Sequence, residues 1–413
     1  MRNLKILSYQ GNKASLMPFI EETLSDFAQP GDTIFDIFSG SGSVSSELNT
    51  KYNIIANDAE AYAATIADTA VNMPAKAEVM KFVEDAQAWQ IDAKNSQFGD
   101  LIVQEQKLLQ DENVEKLVVF YDDLATVWNG GFSVSDLRKS DMYNLFQTYY
   151  AGTYFGLEQA FVIDTLIKNI KATKRGKSVF FSALFYSMKE AVFSKDGHMA
   201  QPLSIEKYPA RLFKSRSVSI FEKFLSKLSE FIEYSDMPHK TNNFIFNEDF
   251  KKVLEESEVQ AEVKVIYADP PYTDMQYSRY YHLLNVAIDY SYPELSTNGG
   301  KYTKGLYTEG RNQSVLSQKS KAADGLKYLV QKAADMNKTI MLSYAYPEDV
   351  NTQKVDRYTV SIDELIEMVQ DAFGKAHTFI YKQKYEHANN RNSNRKSVYE
   401  YLIVGGEKNE NGS

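Results

Sequence analysis

The chain contains no cysteine, which excludes disulfides, thiolate metal sites and cysteine nucleophiles together and makes a reducing compartment the default. No run approaches the roughly 18–20 apolar residues that a membrane-spanning helix needs. The opening MRNLKILSYQGNK has no apolar stretch ahead of a small-residue cleavage site, so the expected location is the cytoplasm. His198, His239, His377 and His387 show no metal-ligand spacing, and no metal is expected. Internal repeats and low-complexity tracts are also missing. What is present is ordinary for a soluble globular protein with a real core: 43% hydrophobic and 24% charged residues, which excludes disorder as the main state. A length of 413 residues fits two domains, or one large domain carrying an insertion. The net charge of −9 argues weakly against nucleic acid, but local charge decides that question. Twenty-eight tyrosines supply amphipathic rings suited to stacking on bases or sugars.

Three blocks and a tail separate along the chain. Residues 1–75 read as helix, strand, Gly-rich turn, helix, strand, helix. The helix over 15–27 has apolar positions at Leu16, Phe19, Ile20, Leu24 and Phe27, and Pro30-Gly31 ends it. The runs 33–38 and 53–58 are continuous and apolar, each with an acid, as buried parallel strands are. Strand, turn, helix and strand in that order make a βαβ unit. Residues 76–240 lose the alternation. Within them, 84–123 carries ten acids against three lysines, and 171–227 carries twelve Lys/Arg against four acids. The alternation resumes over 241–406, with strands expected at 263–268, 339–344 and 399–404. Residues 291–321 read as a mobile polar loop, and 407–413 as a flexible tail.

Two strand ends carry the chemistry. After the first strand come Asp36, Phe38, Ser39, Gly40 and Gly42, where two glycines let the chain turn tightly and a ligand approach the backbone. The third glycine of a dinucleotide fingerprint is missing, so a pyrophosphate ligand is disfavoured. Asp58 ends the second strand, 18 residues after Gly40. There it is placed to accept hydrogen bonds from ribose hydroxyls, or to cap a helix. Farther on, Asp269-Pro270-Pro271-Tyr272 closes a buried strand. The prolines fix φ and remove two donors, leaving a rigid, acceptor-rich clamp for an amino group beside a ring to stack on.

The Asp-Pro-Pro-Tyr tetrapeptide resembles the catalytic motif of amino-group methyltransferases that use S-adenosylmethionine. The run Phe38-Ser39-Gly40-Ser41-Gly42 looks like their cofactor loop. The opening Tyr9-Gln10-Gly11-Asn12-Lys13 is similar to the N-terminal motif of D12-class DNA adenine methylases, with Gln10-Gly11-Asn12 in place of Gly-Gly. Asn247-Glu248-Asp249-Phe250 matches that class's acid-Phe element, and 392–404 resembles its closing hairpin. The resemblance covers about the first 75 and last 170 residues, in the α-type order of cofactor motifs, insertion and catalytic motif. It implies an α/β fold, with a Rossmann-like methyltransferase sheet interrupted by a largely helical target-recognition domain at 76–240. It further implies S-adenosylmethionine held by Tyr9, Lys13, the Asp36–Gly42 turn, Asp58, Asp249 and Phe250.

The implied reaction is methylation of adenine N6 in double-stranded DNA at a short specific site. Asp269 and the Pro270 carbonyl accept the amino hydrogens while Tyr272 stacks on the base, which must be flipped out of the duplex to be reached. Flipping requires phosphates gripped on both sides. Candidate DNA contacts are Lys189, Arg211, Lys214 and Arg216 in the basic stretch, Arg279, Tyr280 and Arg311 after the catalytic motif, and Arg391 and Arg395 near the end. Such an enzyme is expected to modify DNA in a restriction or phage-defence system, with a cognate endonuclease as possible partner. Alternatives are an adenine in structured RNA, cytosine N4, or a DNA-binding module that kept the fold and lost catalysis. Asp rather than Ser or Asn at 269, with the glycines intact, favours the adenine enzyme.

Overall fold

The computed structural model describes residues 4, 6–7, 13–131, 134–139, 142–273, 277–311, 313–347, 358–387 and 396–409. The chain divides into two compact units, one comprising 1–72, 238–276 and 312–413 and the other 73–237 and 277–311. Residues 277–311 thus fall outside the 76–240 range read from sequence. Strands among the described residues are β1 (Thr33–Asp36), β2 (Asn53–Asn57), β3 (Phe244–Phe246), β4 (Val263–Ala268), β5 (Thr297–Asn298), β6 (Lys301–Tyr302), β7 (Thr339–Pro347), β8 (Thr378–His387) and β9 (Lys396–Gly405).

The first unit is built on a seven-stranded sheet in the order β3-β2-β1-β4-β7-β9-β8. Strands β3, β2, β1, β4 and β7 are mutually parallel, and β9 runs antiparallel between β7 and β8. β1 is buried at every position, as expected for a strand covered on both faces. A core of Phe35, Ile37, Ile266, Ile340, Leu342 and Ile403 packs under the helices Ala322–Asp335 and Ile362–Phe373. Chain order reverses on either side of β1, so the carboxyl ends of β1 and β4 flank a topological switch point, where open α/β sheets bind ligands.

The second unit is mainly helical. The apolar run 178–186 lies in the helix Lys177–Ala191, which packs on Ile220–Ser235; Phe224 stacks on Phe180 and on Trp89, and Trp89 meets Phe180 at a tilt. In 291–311, which the sequence suggests is a loop, β5 and β6 form a hairpin around Gly299-Gly300, both with positive φ. Buried Tyr292, Leu295, Leu306 and Tyr307 anchor it. Among the described residues no helix is long and apolar enough to cross a membrane.

Candidate active site

Register brings the two motifs of the first unit together. Asp36 at the end of β1 pairs with Tyr267 of β4, and the next amide, Ile37, donates to the Tyr267 carbonyl at 3.1 Å. The glycine turn therefore leaves the sheet beside the strand that two residues later presents Asp269.

The turn is tightly held. Gly40 has φ +50° and Gly42 +67°, conformations that glycine adopts at little cost. A Cβ on Gly42 would also lie 3.2 Å from Ala67 Cα, in the helix Ala61–Val71. Asp58 accepts the Gly40 amide on Oδ2 and the Glu60 amide on Oδ1, each at 2.9 Å. Burial raises its pKa to about 6, against the pull of those two donors. Asp58 therefore braces the turn through its side chain, a role that the sequence raises only as a helix cap. Ser39 Oγ is buried with no hydrogen-bond partner among the described residues. Asn57, which sequence reasoning missed, ties three strand ends together: its amide donates to the carbonyls of Ile37 and Glu248, and its oxygen accepts the Glu248 amide. The only signal was an amide at the end of an apolar run.

Phe250 is buried and meets the Phe38 ring at 5.7 Å between centroids. Asp249 is exposed and caps the short helix after it by accepting the Lys251 amide at 2.9 Å. Asp36 is fully buried, and Ser45 donates to its Oδ2 at 2.5 Å. Burial lifts its pKa to about 7. A carboxyl whose folded pKa exceeds its unfolded value costs stability above that unfolded value, and the cost grows by about 1.4 kcal/mol per pH unit until the folded pKa is reached. Asp36→Asn is therefore expected to raise the melting temperature by a few degrees at pH 8 and to leave it almost unchanged near pH 4. Equal effects at both pH values would refute the buried titration.

In the Asp269–Tyr272 segment, Pro270 is buried while Asp269, Pro271 and Tyr272 are half-buried. The Tyr272 ring stacks on Tyr358 at 6.0 Å and 17°, and its carbonyl accepts the Thr359 amide. Lys13 lies 3.3 Å from Asp269 Oδ1 and 2.8 Å from Glu400 Oε1. Burial pushes the Asp269 carboxyl up to about 7, with Lys13 pulling it down and Glu400 pushing it further up. Burial also works against the Lys13 ammonium, but the two carboxylates hold its pKa well above the ordinary lysine value. Glu400 is the second residue missed from sequence, although it is the single acid in the apolar run 399–404.

The expected DNA contacts divide. On the helix Pro209–Arg216, Arg211 and Lys214 are exposed. Arg216 is 8% exposed and turns inward, donating to the carbonyls of Tyr154 and Thr153 and to the Tyr121 hydroxyl. This corrects its assignment to a phosphate grip, because the guanidinium is already committed to the core of its own unit. Lys189 pairs with Glu190 at 2.8 Å. Arg279 and Arg311 lie over the Tyr307 ring, 5.1 and 4.4 Å from its centroid. Tyr280 meets His198 edge-on at 4.8 Å. Tyr9, Arg391 and Arg395 lie outside the described residues.

A family profile described as D12 class N6 adenine-specific DNA methyltransferase matches residues 9–338. Over 373 residues the chain is 22% identical to Modification methylase LlaI of Lactococcus lactis subsp. lactis, covering 88% of this chain and 48% of that protein. Over 163 residues it is 28% identical to Type II methyltransferase M.FokI of Planomicrobium okeanokoites, covering 39% of this chain and 22% of that protein. The chain spans about half the length, or less, of the curated relatives it matches.

Proposed function

The chain belongs to the D12 class of N6 adenine-specific DNA methyltransferases, and from that premise we propose that it transfers a methyl group from S-adenosylmethionine to N6 of adenine in double-stranded DNA. The observation that carries this reading is the register pair Asp36–Tyr267, which sets the glycine turn beside the Asp269-Pro270-Pro271-Tyr272 clamp. The turn fits the cofactor: two positive-φ glycines, a buried hydroxyl on Ser39 without a partner among the described residues and a carboxylate on Asp58 meet at the carboxyl ends of parallel strands. Phe38, Phe250 and Asp249 would complete that side. Bound there, S-adenosylmethionine supplies a methyl group already activated on a sulfonium.

The residues of the clamp do the rest. The N6 lone pair of adenine is delocalised into the ring and is a poor nucleophile. Asp269 and the Pro270 carbonyl accept its two N–H bonds, drawing nitrogen toward tetrahedral geometry and freeing the pair. Tyr272 stacks on the base and orients it in line, and positioning of this kind contributes much of a transfer rate. As the nitrogen–carbon bond forms, the carbon–sulfur bond breaks and S-adenosylhomocysteine leaves; positive charge develops on nitrogen, where the Asp269 carboxylate stabilises it until one amino proton is lost to solvent. The base reaches this clamp by flipping out of the duplex.

Residues 73–237 with 277–311 are assigned to target recognition, and the modification role in a restriction or defence system is supported by the names of the two relatives. Arg211 and Lys214, both exposed, are the candidates for a phosphate grip. Arg211→Glu with Lys214→Glu is expected to weaken DNA binding roughly tenfold or more and to lower the salt slope by about 2. An unchanged slope would place the DNA elsewhere. Arg216 is left intact in that variant, since reversing it would bury an unpaired charge against carbonyl oxygens.

The deciding experiment is transfer of labelled methyl to unmethylated duplex DNA, with structured RNA in parallel, followed by nucleoside analysis. N6-methyladenine in DNA alone is expected. Label confined to RNA, or in cytosine, would overturn the substrate assignment.

A further inference from the structure

Lys13 is bound by two carboxylates rather than one. Its ammonium lies 2.8 Å from Glu400 Oε1 and 3.3 Å from Asp269 Oδ1. Glu400 sits in β9 and is 0% exposed, opposite Ala345 of β7. Ser343 of β7 donates to the same Oε1 at 2.5 Å. The other oxygen, Oε2, is buried with no hydrogen-bond partner among the described residues. With both carboxyls ionised, one ammonium between them leaves a net negative charge beside the end of β4.

Such a group is a poor stabiliser. Charges withdrawn from water recover their desolvation cost only when geometry and pairing are nearly complete, and buried acceptors in a native core are normally satisfied. An apolar side chain on β9 would pack there at less cost. Glu400 is therefore better explained by what it does to Lys13 than by what it adds to stability. Lysine is a point charge on a flexible four-carbon stem; with Asp269 as its only ion-pair partner, its ammonium would be directed by a single contact of 3.3 Å. The second carboxylate pins it to the sheet.

We propose that Glu400 is a positioning residue for methyl transfer, holding the Lys13 ammonium against Asp269 and, through its charge, setting the pH at which Asp269 becomes an acceptor for the amino group. This rests on the reading of Asp269 given above. The two effects have opposite signs. As an acceptor Glu400 keeps the cation in place, which favours ionised Asp269. As a like charge it disfavours that ionisation. The groups facing Asp269 are Lys13, Glu400, Asp36 and Tyr267, and those facing Lys13 also include Tyr267 and Tyr272.

Glu400→Gln keeps an acceptor for Lys13 and Ser343 but removes the charge. In single-turnover transfer measured from about pH 5 to 9, the midpoint of the acid limb is expected to move about one unit toward acid. Lys13→Met is expected to move it toward alkali. A residue that served packing alone would lower the melting temperature and leave the midpoint in place. If Glu400→Gln does not fold, Lys13→Met combined with Glu400→Met removes both buried charges; its midpoint is expected below that of Lys13→Met alone. A midpoint unmoved by Glu400→Gln, or equal in the single and double Met variants, while Lys13→Met still moves it, overturns the role of Glu400 and leaves that of Asp269 standing. Full activity in Asp269→Ala overturns the reading beneath it instead.

Discussion

Asp269→Ala is expected to slow single-turnover methyl transfer by about a hundred- to a thousand-fold, with binding of duplex DNA and of S-adenosylmethionine retained. The alanine keeps the rigid Pro270-Pro271 turn and the Pro270 carbonyl, so one of two acceptors survives and the strand end keeps its shape. What is lost is the charged acceptor facing the nitrogen that becomes positive in the transition state. Asp269→Asn restores a neutral acceptor and is expected to fall between the two. The wild-type rate has a sign that can be checked in the same assay. Burial lifts the Asp269 carboxyl to about 7; below that pH it is protonated and a poorer acceptor, so the rate falls as pH drops through about 7. In Asp269→Asn nothing titrates there, and that limb is expected to vanish. Retention of wild-type turnover by the alanine variant, or of the limb by the asparagine variant, would remove Asp269 from the reaction.

Sequence and structure agree most closely where local chemistry suffices. The run 33–38 has one acid in an apolar strand, and that acid sits at a buried strand end. The prolines after Asp269 announce a turn because a φ near −65° and two missing amides leave little else. The resemblance over 392–404 takes in most of β9, whereas its antiparallel partner β8 at Thr378–His387 was not read from the sequence. What sequence could not supply is direction. Arg216 lies two and five residues from Lys214 and Arg211, and on a helix such spacings face different ways; the charge tally of 171–227 treats them alike, whereas Tyr154, Thr153 and Tyr121 claim one of them. Glu400 and Lys13 are 387 positions apart, so no spacing rule could join them. Glu400 nevertheless repeats the signal of Asp36, a lone acid in an apolar strand, and that pattern is worth following whenever burial makes an ion costly. The grouping of 277–311 with the second unit was hidden for a related reason, since a polar Gly-Gly stretch reads as loop until Tyr292 and Tyr307 are seen to be buried.

The second large effect is expected at Asp58. The carboxylate spends one oxygen on the Gly40 amide and the other on the Glu60 amide, so it holds the glycine turn to the start of the helix Ala61–Val71. Asp58→Ala removes both bonds and frees a left-handed glycine to sample other conformations. A hydrogen bond to a charged group contributes about 1.5–3 kcal/mol, and the affinity for S-adenosylmethionine is expected to fall about 100-fold, equivalent to about 2.7 kcal/mol. DNA affinity should change little, because the cations assigned to phosphate lie in the other unit. Asp58→Asn keeps one strong acceptor and is expected to lose less. The same variants separate bracing of the turn from direct contact with the ribose. An analogue lacking the ribose hydroxyls should bind more weakly than S-adenosylmethionine by the same factor in wild type and Asp58→Ala if the carboxylate acts through the turn alone. If it also accepts from the sugar, the factor shrinks in the variant, and the difference measures that contact. Equal loss of cofactor and DNA affinity in Asp58→Ala would contradict both roles and point to a fold defect, which its melting curve would register independently.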